Sequence, residues 1–300
     1  MSSLTLKAPA KVNLFLEVTG KRPDGYHELA MLFAKTSLCD TLHLQVQPAQ
    51  QEQLHLQITG PLGGGLAADD NNLVLRAVRA FEQHFGLTLR ADISLEKHIP
   101  MGAGLGGGSS DAGTVLRGLC QLFGKDPLEL LPQATRLGAD VPVFLYPEVF
   151  LRAEGIGEKL TPVPAAGPLP WAVLVYPDQN VPTQGVFARL QLPRPDDVLT
   201  KLSNLDKLIE YLRQGVSAGQ WHELLFNRLE EAVLPYECAV RDVKEDFLAL
   251  GACPLMSGSG STVFVLTPNR KRADNLAEQI KKQGRKVFVV HFGGTPNENN

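Results

Sequence analysis

A glycine run between a predicted strand and a predicted helix constrains this chain more than any other feature. Five glycines occupy the seven positions 102–108, so backbone N–H groups can approach a ligand and positive φ angles are accessible. Upstream, Ile93 and Leu95 alternate with polar residues as in a half-buried strand. Downstream, apolar residues recur at helical spacing over 111–123, and Gly124 suits the helix end. A strand, a glycine loop and a helix N-terminus in succession predict an anion site that suits phosphate.

Two common phosphate motifs fit this run only in part. Gly102, Gly104 and Gly107 form a literal G-x-G-x-x-G, as in dinucleotide-binding folds, but residues 98–100 separate it from the strand. A Walker motif is excluded because no Lys-Ser or Lys-Thr pair follows the glycines. A glycine-rich surface loop without a ligand is the alternative interpretation.

Length and composition limit the classes of function. A chain of 300 residues with 44% hydrophobic content can bury a large core. Its 29 basic and 32 acidic residues give a net charge of −3, which favours neither nucleic-acid nor anionic-membrane binding. Residues 1–18 lack the apolar core of a signal peptide, and no stretch approaches the ~20 apolar residues of a membrane helix. We therefore expect a soluble, cytoplasmic protein that binds neither nucleic acid nor membrane.

The four cysteines, Cys39, Cys120, Cys238 and Cys253, form no C-x-x-C pair. Their spacing predicts buried, reduced thiols rather than a disulfide framework or a zinc site.

The remaining patterns predict an α+β protein. Alternating apolar residues predict strands at 12–18, 42–46 and 54–58, and further strands are predicted at 171–176, 263–266 and 287–291. Helical periodicity predicts helices at 72–85, 127–137 and 270–283, and a mainly helical segment at 196–251. A region rich in proline and glycine at 161–170 predicts a boundary between domains at 1–160 and 168–292, and we expect the tail at 293–300 to be disordered.

Two further motifs accompany the glycine run. In the string 8–14, Ala-Pro-Ala-Lys-Val-Asn-Leu, Lys11 and Asn13 lie on one face of a strand, although a lysine at a sheet edge is also a common solubility device. Late in the chain, 257–261 forms a second glycine turn. In their order, these three motifs resemble those of the GHMP kinases. The resemblance implies the GHMP-kinase two-domain fold, with an N-terminal ribosomal-S5-like ATP-binding domain and a C-terminal ferredoxin-like α/β sandwich.

The same resemblance implies roles for individual residues on the nucleotide side. Asp140 would be the catalytic base with Lys11 beside it, ATP the phosphoryl donor, and Mg²⁺ the ion bridging its phosphates, with no carboxylate assignable as a metal ligand. Asn72 and Lys97 would border the adenine. The triphosphate would be wrapped by Pro100, Met101, Gly102, Ala103, Gly104, Leu105, Gly106, Gly107, Gly108, Ser109 and Ser110. Asp140 has an alternative interpretation as an N-cap or turn carboxylate, and Lys97 as an ordinary charge at a strand end.

Further strings at 22–29, 70–74, 137–142 and 154–158 resemble those GHMP kinases that phosphorylate a cytidine-diphosphate sugar alcohol. This resemblance implies that Tyr26 and Phe187 sandwich a cytosine and that His27 bonds its polar edge, with Asn13 and Thr183 also in the substrate site. The alternative for the aromatic residues is core packing.

Other functions stay open at this point. The chain could be a GHMP kinase for a mevalonate-like or homoserine-like alcohol, or a catalytically silent ATP-binding regulator on the same fold. A dinucleotide oxidoreductase is the least favoured interpretation. The expected assembly is a monomer or a homodimer.

Overall fold

The computed structural model describes residues 1–281 and 285–293. The strands are β1 (Ser2–Lys21), β2 (His27–Pro48), β3 (Gln53–Thr59), β4 (Leu89–Glu96), β5 (Phe150–Gly155), β6 (Lys159–Val163), β7 (Trp171–Tyr176), β8 (Phe226–Asn227), β9 (Leu255–Met256), β10 (Val263–Thr267) and β11 (Lys286–His291). The α-helices are α1 (Leu73–Phe85), α2 (Gly107–Phe123), α3 (Leu131–Leu137), α4 (Thr183–Arg189), α5 (Pro195–Gln214), α6 (Glu230–Val233), α7 (Cys238–Ala249) and α8 (Arg270–Lys281). Short 3₁₀ helices cover Pro127–Leu130, Val141–Phe144 and Ala218–Gln220.

The chain forms two compact units built from interleaved segments. The first unit contains Met1–Ala10, Leu38–Met101 and Gly106–Pro147. The second unit contains Lys11–Ser37, Gly102–Leu105 and the described residues from Glu148 onward. Strands β1 and β2 and the glycine run therefore each contribute residues to both units. The predicted contiguous domains at 1–160 and 168–292 stay a prediction.

The first unit is a sheet covered by helices. The second half of β2 pairs antiparallel with β4, and β3 pairs parallel with β4. Helix α1 buries Val74, Val78 and Phe81 in the core because apolar residues three and four apart share one helix face. The side chain of Asn72 caps its first turn, and Gly86 ends it in the left-handed conformation.

Helix α2 begins at Gly107, four residues before the position predicted from apolar spacing. Gly106 precedes it with φ +70°, and the N–H of Ser110 donates to the Gly106 carbonyl at 2.8 Å. Gly113 therefore lies inside the helix rather than in the predicted first turn, and it has a packing role. A Cβ at Gly113 would lie 2.6 Å from the Cβ of Phe144, so only glycine allows this approach of α2 to the 3₁₀ helix.

The second unit contains a four-stranded antiparallel sheet of order β11-β7-β10-β9. Helix α8 packs against β7, β10 and β11, and α7 packs against β10. Elsewhere in this unit, β5 pairs with β6 and with the first half of β2, and β8 runs parallel to β1.

Most predicted elements are confirmed, with specific differences. The predicted strand 171–176 coincides with β7, whereas β6 extends into the predicted boundary region 161–170. The segment 196–251 also contains the two-residue strand β8. The ends of the predicted helix 270–283 and of the tail 293–300 lie outside the described residues.

The four cysteines form no disulfide. Cys238 and Cys253 are exposed, so the prediction of buried thiols is wrong for these two. In the described part of the chain, no helix combines the length and apolar character that a membrane crossing requires.

A buried ion pair fixes β8 to β1 in the second unit. The guanidinium of Arg228 donates to both carboxylate oxygens of Glu17, at 2.8 and 2.7 Å, and Glu17 is fully buried. We expect Arg228→Met to lower the free energy of unfolding by ~3–5 kcal/mol, because it leaves a buried carboxylate without its partner. Urea denaturation measures this loss.

Arg213→Met is the matched control, because Arg213 is about half exposed and lies 3.8 Å from a carboxylate oxygen of Glu210. Its effect should be below ~1 kcal/mol. Equal losses in both variants would contradict a structural role for the buried pair.

Candidate active site

A cavity of about 340 Å³ lies in the first unit beside the start of α1. Its lining is mainly apolar, and four of the predicted nucleotide residues take part in it: Asn72, Lys97, Met101 and Gly108. A small, mostly apolar cavity with few polar groups suits a flat heteroaromatic ring.

Asn72 shapes the wall of this cavity through two backbone contacts. Its Oδ1 accepts a hydrogen bond from the Val74 N–H at 3.0 Å, and its Nδ2 donates to the Ala67 carbonyl at 2.8 Å. The side chain thereby joins the loop before α1 to the first helical turn. The N-cap hydrogen bond to Val74 fixes the position of Asn72 at the cavity wall.

Lys97 forms a buried ionic cluster rather than a free charge at a strand end. Its Nζ donates to Asp40 and, at 2.7 Å, to Asp111 on α2. A second oxygen of Asp40 accepts from the Ile99 N–H at 2.9 Å. A Cβ at Gly107 would lie 3.5 Å from Nζ, so the cluster supports the beginning of α2. Because two carboxylates hold the ammonium, we assign Lys97 a positioning role at the cavity.

Asp111 is unusual within this cluster. Burial raises its pKa to about 7, with Asp40 adding to the increase and Lys97 opposing it. Its Oδ1 has no hydrogen-bond partner among the described residues. A carboxylate with this pKa exchanges a proton near neutral pH.

This shift predicts a pH dependence of stability. Because the pKa of Asp111 is higher in the folded state than its usual value of ~3.9, the folded state binds the proton more tightly. The contribution of Asp111 to stability therefore decreases as pH rises from ~4 to ~7. Between pH 5 and 8 we expect wild type to lose on the order of 1–3 kcal/mol more stability than Asp111→Asn, which cannot titrate.

Urea denaturation of both proteins across this pH range tests the prediction. Parallel curves for wild type and Asp111→Asn would show that the carboxylate does not take up a proton in the folded state.

The glycine run adopts the conformations that its composition predicts. Gly102, Gly104 and Gly106 have φ angles of +63°, +77° and +70°. In the second unit, a Cβ at Gly104 would lie 2.3 Å from the carbonyl oxygen of Ser257. Glycine at this position is required by both the backbone angle and the close approach.

The segment Gly102–Leu105 is held between the two other motifs of the second unit. The N–H of Lys11 donates to the Leu105 carbonyl at 2.9 Å, and the N–H of Thr262 donates to the Ala103 carbonyl at 3.1 Å. The hydroxyl of Ser257 donates to the Gly104 carbonyl at 3.0 Å. The second unit thus brings the first and third motifs to the same part of the loop.

Lys11 and Asn13 are buried neighbours on β1. The Nζ of Lys11 donates to the Oδ1 of Asn13 at 2.9 Å and lies 5.2 Å from the ring centroid of Phe33. A Cβ at Gly258 would lie 3.5 Å from both polar atoms, so glycine at this turn leaves room beside the ammonium.

Asn227 is a residue of this site that no sequence motif indicates. Its Nδ2 donates to the carbonyls of Met256 and Gly258, at 2.7 and 2.8 Å, and holds the third motif beside β8. No local pattern around position 227 indicates this role, because its partners lie about thirty residues away.

Of the predicted base-binding residues, His27 and Phe187 come together. Their rings stack with centroids 5.0 Å apart and planes 25° apart, while Tyr26 is 61% exposed. Partial burial, together with Lys21, lowers the pKa of His27. His27 is therefore neutral at pH 7, with one nitrogen that donates and one that accepts. The hydroxyls of Thr183 and Ser259 lie 2.7 Å apart, which joins Thr183 to the third motif.

Asp140 lies in the first unit, at the position that precedes the 3₁₀ helix Val141–Phe144. It is half-buried, and its side chain makes no capping hydrogen bond to that helix. The alternative of a helix-capping carboxylate is therefore not supported. Lys11 and Asp140 belong to different units, and their catalytic pairing stays a prediction.

The first turn of α2 carries a buried hydroxyl that is free to form a hydrogen bond with a ligand. Ser110 Oγ has no hydrogen-bond partner among the described residues. Backbone N–H groups at a helix start also lack partners within the helix. Together they supply donors of the kind that bind phosphate oxygens.

Comparisons with known proteins show the family of the chain. The chain matches the N-terminal domain of the GHMP kinases over residues 72–148 and their C-terminal domain over 205–286. It is 40% identical over 291 residues to a 4-diphosphocytidyl-2-C-methyl-D-erythritol kinase of Pelobacter propionicus, covering 95% of this chain and 97% of the relative.

Solved structures extend the comparison to the whole chain. A crystal structure of a 4-(cytidine 5'-diphospho)-2C-methyl-D-erythritol kinase is 36% identical, with a TM-score of 0.74 over 97% of this chain and 100% of the other. A homoserine kinase from Cytophaga hutchinsonii, 21% identical, shares the fold with a TM-score of 0.78 over 98% of this chain and 96% of the other. The predicted two-domain α+β fold is confirmed, and the chain belongs to the GHMP kinase family.

Proposed function

We propose that the protein is an ATP-dependent kinase that phosphorylates the 2-hydroxyl of 4-diphosphocytidyl-2-C-methyl-D-erythritol, a step of the non-mevalonate route to isoprenoid precursors. The observation that carries this proposal is near-full-length similarity, at 36–40% identity, to relatives with that kinase name. The stacked His27–Phe187 pair supports it, since an aromatic surface beside a neutral imidazole suits a cytosine.

On the nucleotide side, the cavity beside Asn72 and Lys97 takes the adenine. The glycine run and the start of α2 then hold the triphosphate through backbone N–H groups and the Ser110 hydroxyl. The described residues contain no group of three or more acidic, His or Cys side chains that could hold a metal. Phosphate oxygens of ATP and Ser110 Oγ would hold Mg²⁺ there, and the ion would supply charge neutralisation.

On the acceptor side, the ring of Phe187 covers one face of the cytosine and Tyr26 covers the other. Because His27 is stacked on Phe187 in this structure, its imidazole has to turn away from that ring to donate to and accept from the polar edge of the base. Thr183, held by Ser259, lies one helical turn from Phe187 on α4 and contributes a hydroxyl.

The transfer step needs positioning and charge stabilisation rather than a covalent intermediate. Asp140 accepts the proton of the acceptor hydroxyl while the oxygen of that hydroxyl bonds to the γ-phosphorus of ATP. The bond between that phosphorus and the bridging oxygen breaks, and ADP leaves. The ammonium of Lys11, oriented by Asn13, stabilises the negative charge that develops on the transferred group.

An acceptor panel tests the proposal. The purified protein is incubated with Mg-ATP and 4-diphosphocytidyl-2-C-methyl-D-erythritol, mevalonate or homoserine, and ³¹P NMR follows ADP and the new phosphate ester. We expect turnover with the cytidine substrate alone. Preference for another alcohol would show that the protein is a kinase for a different substrate. ATP binding without any turnover would show that it is a regulator.

The aromatic assignment makes a separate prediction. Phe187→Ala should raise the KM for the cytidine substrate by ~5–150-fold, because base–aromatic stacking contributes ~1–3 kcal/mol. The KM for ATP should stay unchanged. Steady-state kinetics with each substrate varied in turn measures both constants.

Phe187→Tyr is the matched control variant. It keeps the aromatic face, so its KM for the cytidine substrate should be close to that of wild type. A parallel change in the KM for both substrates, or no change in either, would contradict the stacking role.

A further inference from the structure

A second cavity, of about 410 Å³, lies in the first unit between β1 and α2. It shares no lining residue with the cavity beside Asn72. Gly118 brings the two elements together here, since a Cβ on it would lie 2.4 Å from Leu6. Polar side chains from both elements therefore face one space, and its volume is in the ~300–1,000 Å³ range of small-molecule sites.

The lining carries three cationic side chains and no carboxylate: Lys7, Arg117 and Lys125. Lys7 Nζ donates to Thr41 Oγ1 at 2.8 Å, and an ammonium has two further protons to donate. Lys125 Nζ lies 5.0 Å from the ring centroid of Phe85. Positive charge is therefore concentrated in this cavity although the whole chain is slightly acidic.

Arg117 is the central group of this lining. It is half-buried, and burial lowers its pKa. No hydrogen bond or ion pair to its guanidinium is present within the described residues. A half-buried guanidinium with free N–H groups can bind phosphate oxygens in a bidentate manner.

Thr114 adds an independent observation. It is only 3% exposed and lines the same cavity, one helical turn from Arg117. Its Oγ1 has no hydrogen-bond partner among the described residues. A buried hydroxyl is normally paired, so an unpartnered hydroxyl on a residue that lines a cationic cavity favours an anionic ligand.

We propose that this cavity binds the phosphate group of a small molecule, through Arg117, Lys7 and Lys125 with the Thr114 hydroxyl as a further donor. Several cations around one space favour a multiply charged phosphate over a single carboxylate. The concave shape of the cavity disfavours an extended polyanion such as nucleic acid.

Calorimetric titration of the full chain with inorganic pyrophosphate tests the proposal. Arg117→Gln should weaken binding at this site at least ~10-fold, consistent with loss of a charge-assisted contact. Arg76→Gln is the matched control, because it removes the same charge from an exposed position outside the cavity, and it should bind as wild type does.

Thr114→Val separates a binding role from a structural one. The change removes only the unpartnered hydroxyl, so the melting temperature should stay the same or rise while pyrophosphate binding weakens. A variant of the glycine run, Gly106→Val, should retain the binding that Arg117→Gln loses. This comparison distinguishes the cavity from the proposed nucleotide site.

Parallel titrations with inorganic phosphate and glycerol 3-phosphate distinguish the source of the group. Equal affinity for the ion and the ester would show that the ligand of the cavity is a free inorganic anion. Tighter binding of the ester would show that the ligand is a phosphorylated metabolite. Equal binding by Arg117→Gln and Arg76→Gln, or binding lost only in Gly106→Val, would overturn the proposal.

Discussion

Asp140→Asn is expected to lower kcat by ~10²–10⁴-fold, the usual effect of losing a general base. Asparagine keeps the shape and hydrogen-bonding capacity of aspartate but cannot accept the proton of the acceptor hydroxyl. Because the side chain does not cap the 3₁₀ helix Val141–Phe144, the fold should tolerate the change. The KM values for both substrates should stay close to wild type.

Measuring kcat and the melting temperature on the same preparations separates catalysis from structure. A structural carboxylate would give a lower melting temperature with near-normal kcat per folded molecule, and that result would remove Asp140 as the base.

Lys11→Met extends this test to the proposed partner. Methionine keeps much of the buried stem and removes the charge next to Asn13, so kcat should fall more than ATP affinity. The double variant should be less impaired than the product of the two single effects, because each group acts through the other. Independent, multiplicative effects would contradict a shared step.

Gly106→Val is expected to reduce ATP affinity by ~10–100-fold. Gly106 has φ +70° immediately before α2, where a β-branched residue costs ~1–3 kcal/mol in backbone strain. The added side chain would also occupy space where a phosphate must approach the N–H groups of the helix start. Calorimetry with ATP measures the loss.

Gly64→Val is the matched control, since a Cβ there meets no atom within 4 Å and the backbone angle is ordinary. It should leave ATP affinity unchanged. Unaltered ATP binding by Gly106→Val, with a native circular dichroism spectrum, would contradict a phosphate-binding role for the glycine run.

Local patterns were sufficient to predict features whose causes lie within a few residues. Helical spacing predicted α1, and the hydrogen bonds of Asn72 explain its start. Strand β7 follows from a continuous apolar run. The glycine run has the positive φ angles that its composition suggested, because glycine alone adopts them without strain.

The beginning of α2 shows where such reasoning stops. Glycines have low helix propensity, so apolar spacing placed the start at 111 rather than at Gly107. Packing explains glycine at this position, because a Cβ at Gly107 would lie 3.0 Å from Cγ2 of Ile99.

The polar framework of the site depended on the tertiary structure. The carboxylates that hold Lys97, the carbonyls that the Asn227 amide binds, and Glu17, the buried partner of Arg228, lie between 14 and 211 positions away along the chain, and no short-range pattern links them. The same holds for the contact between Gly104 and Ser257, 153 positions apart. Motifs identified the groups that can do chemistry. Their charge state and orientation arise from burial beside distant partners, which only the folded chain brings together.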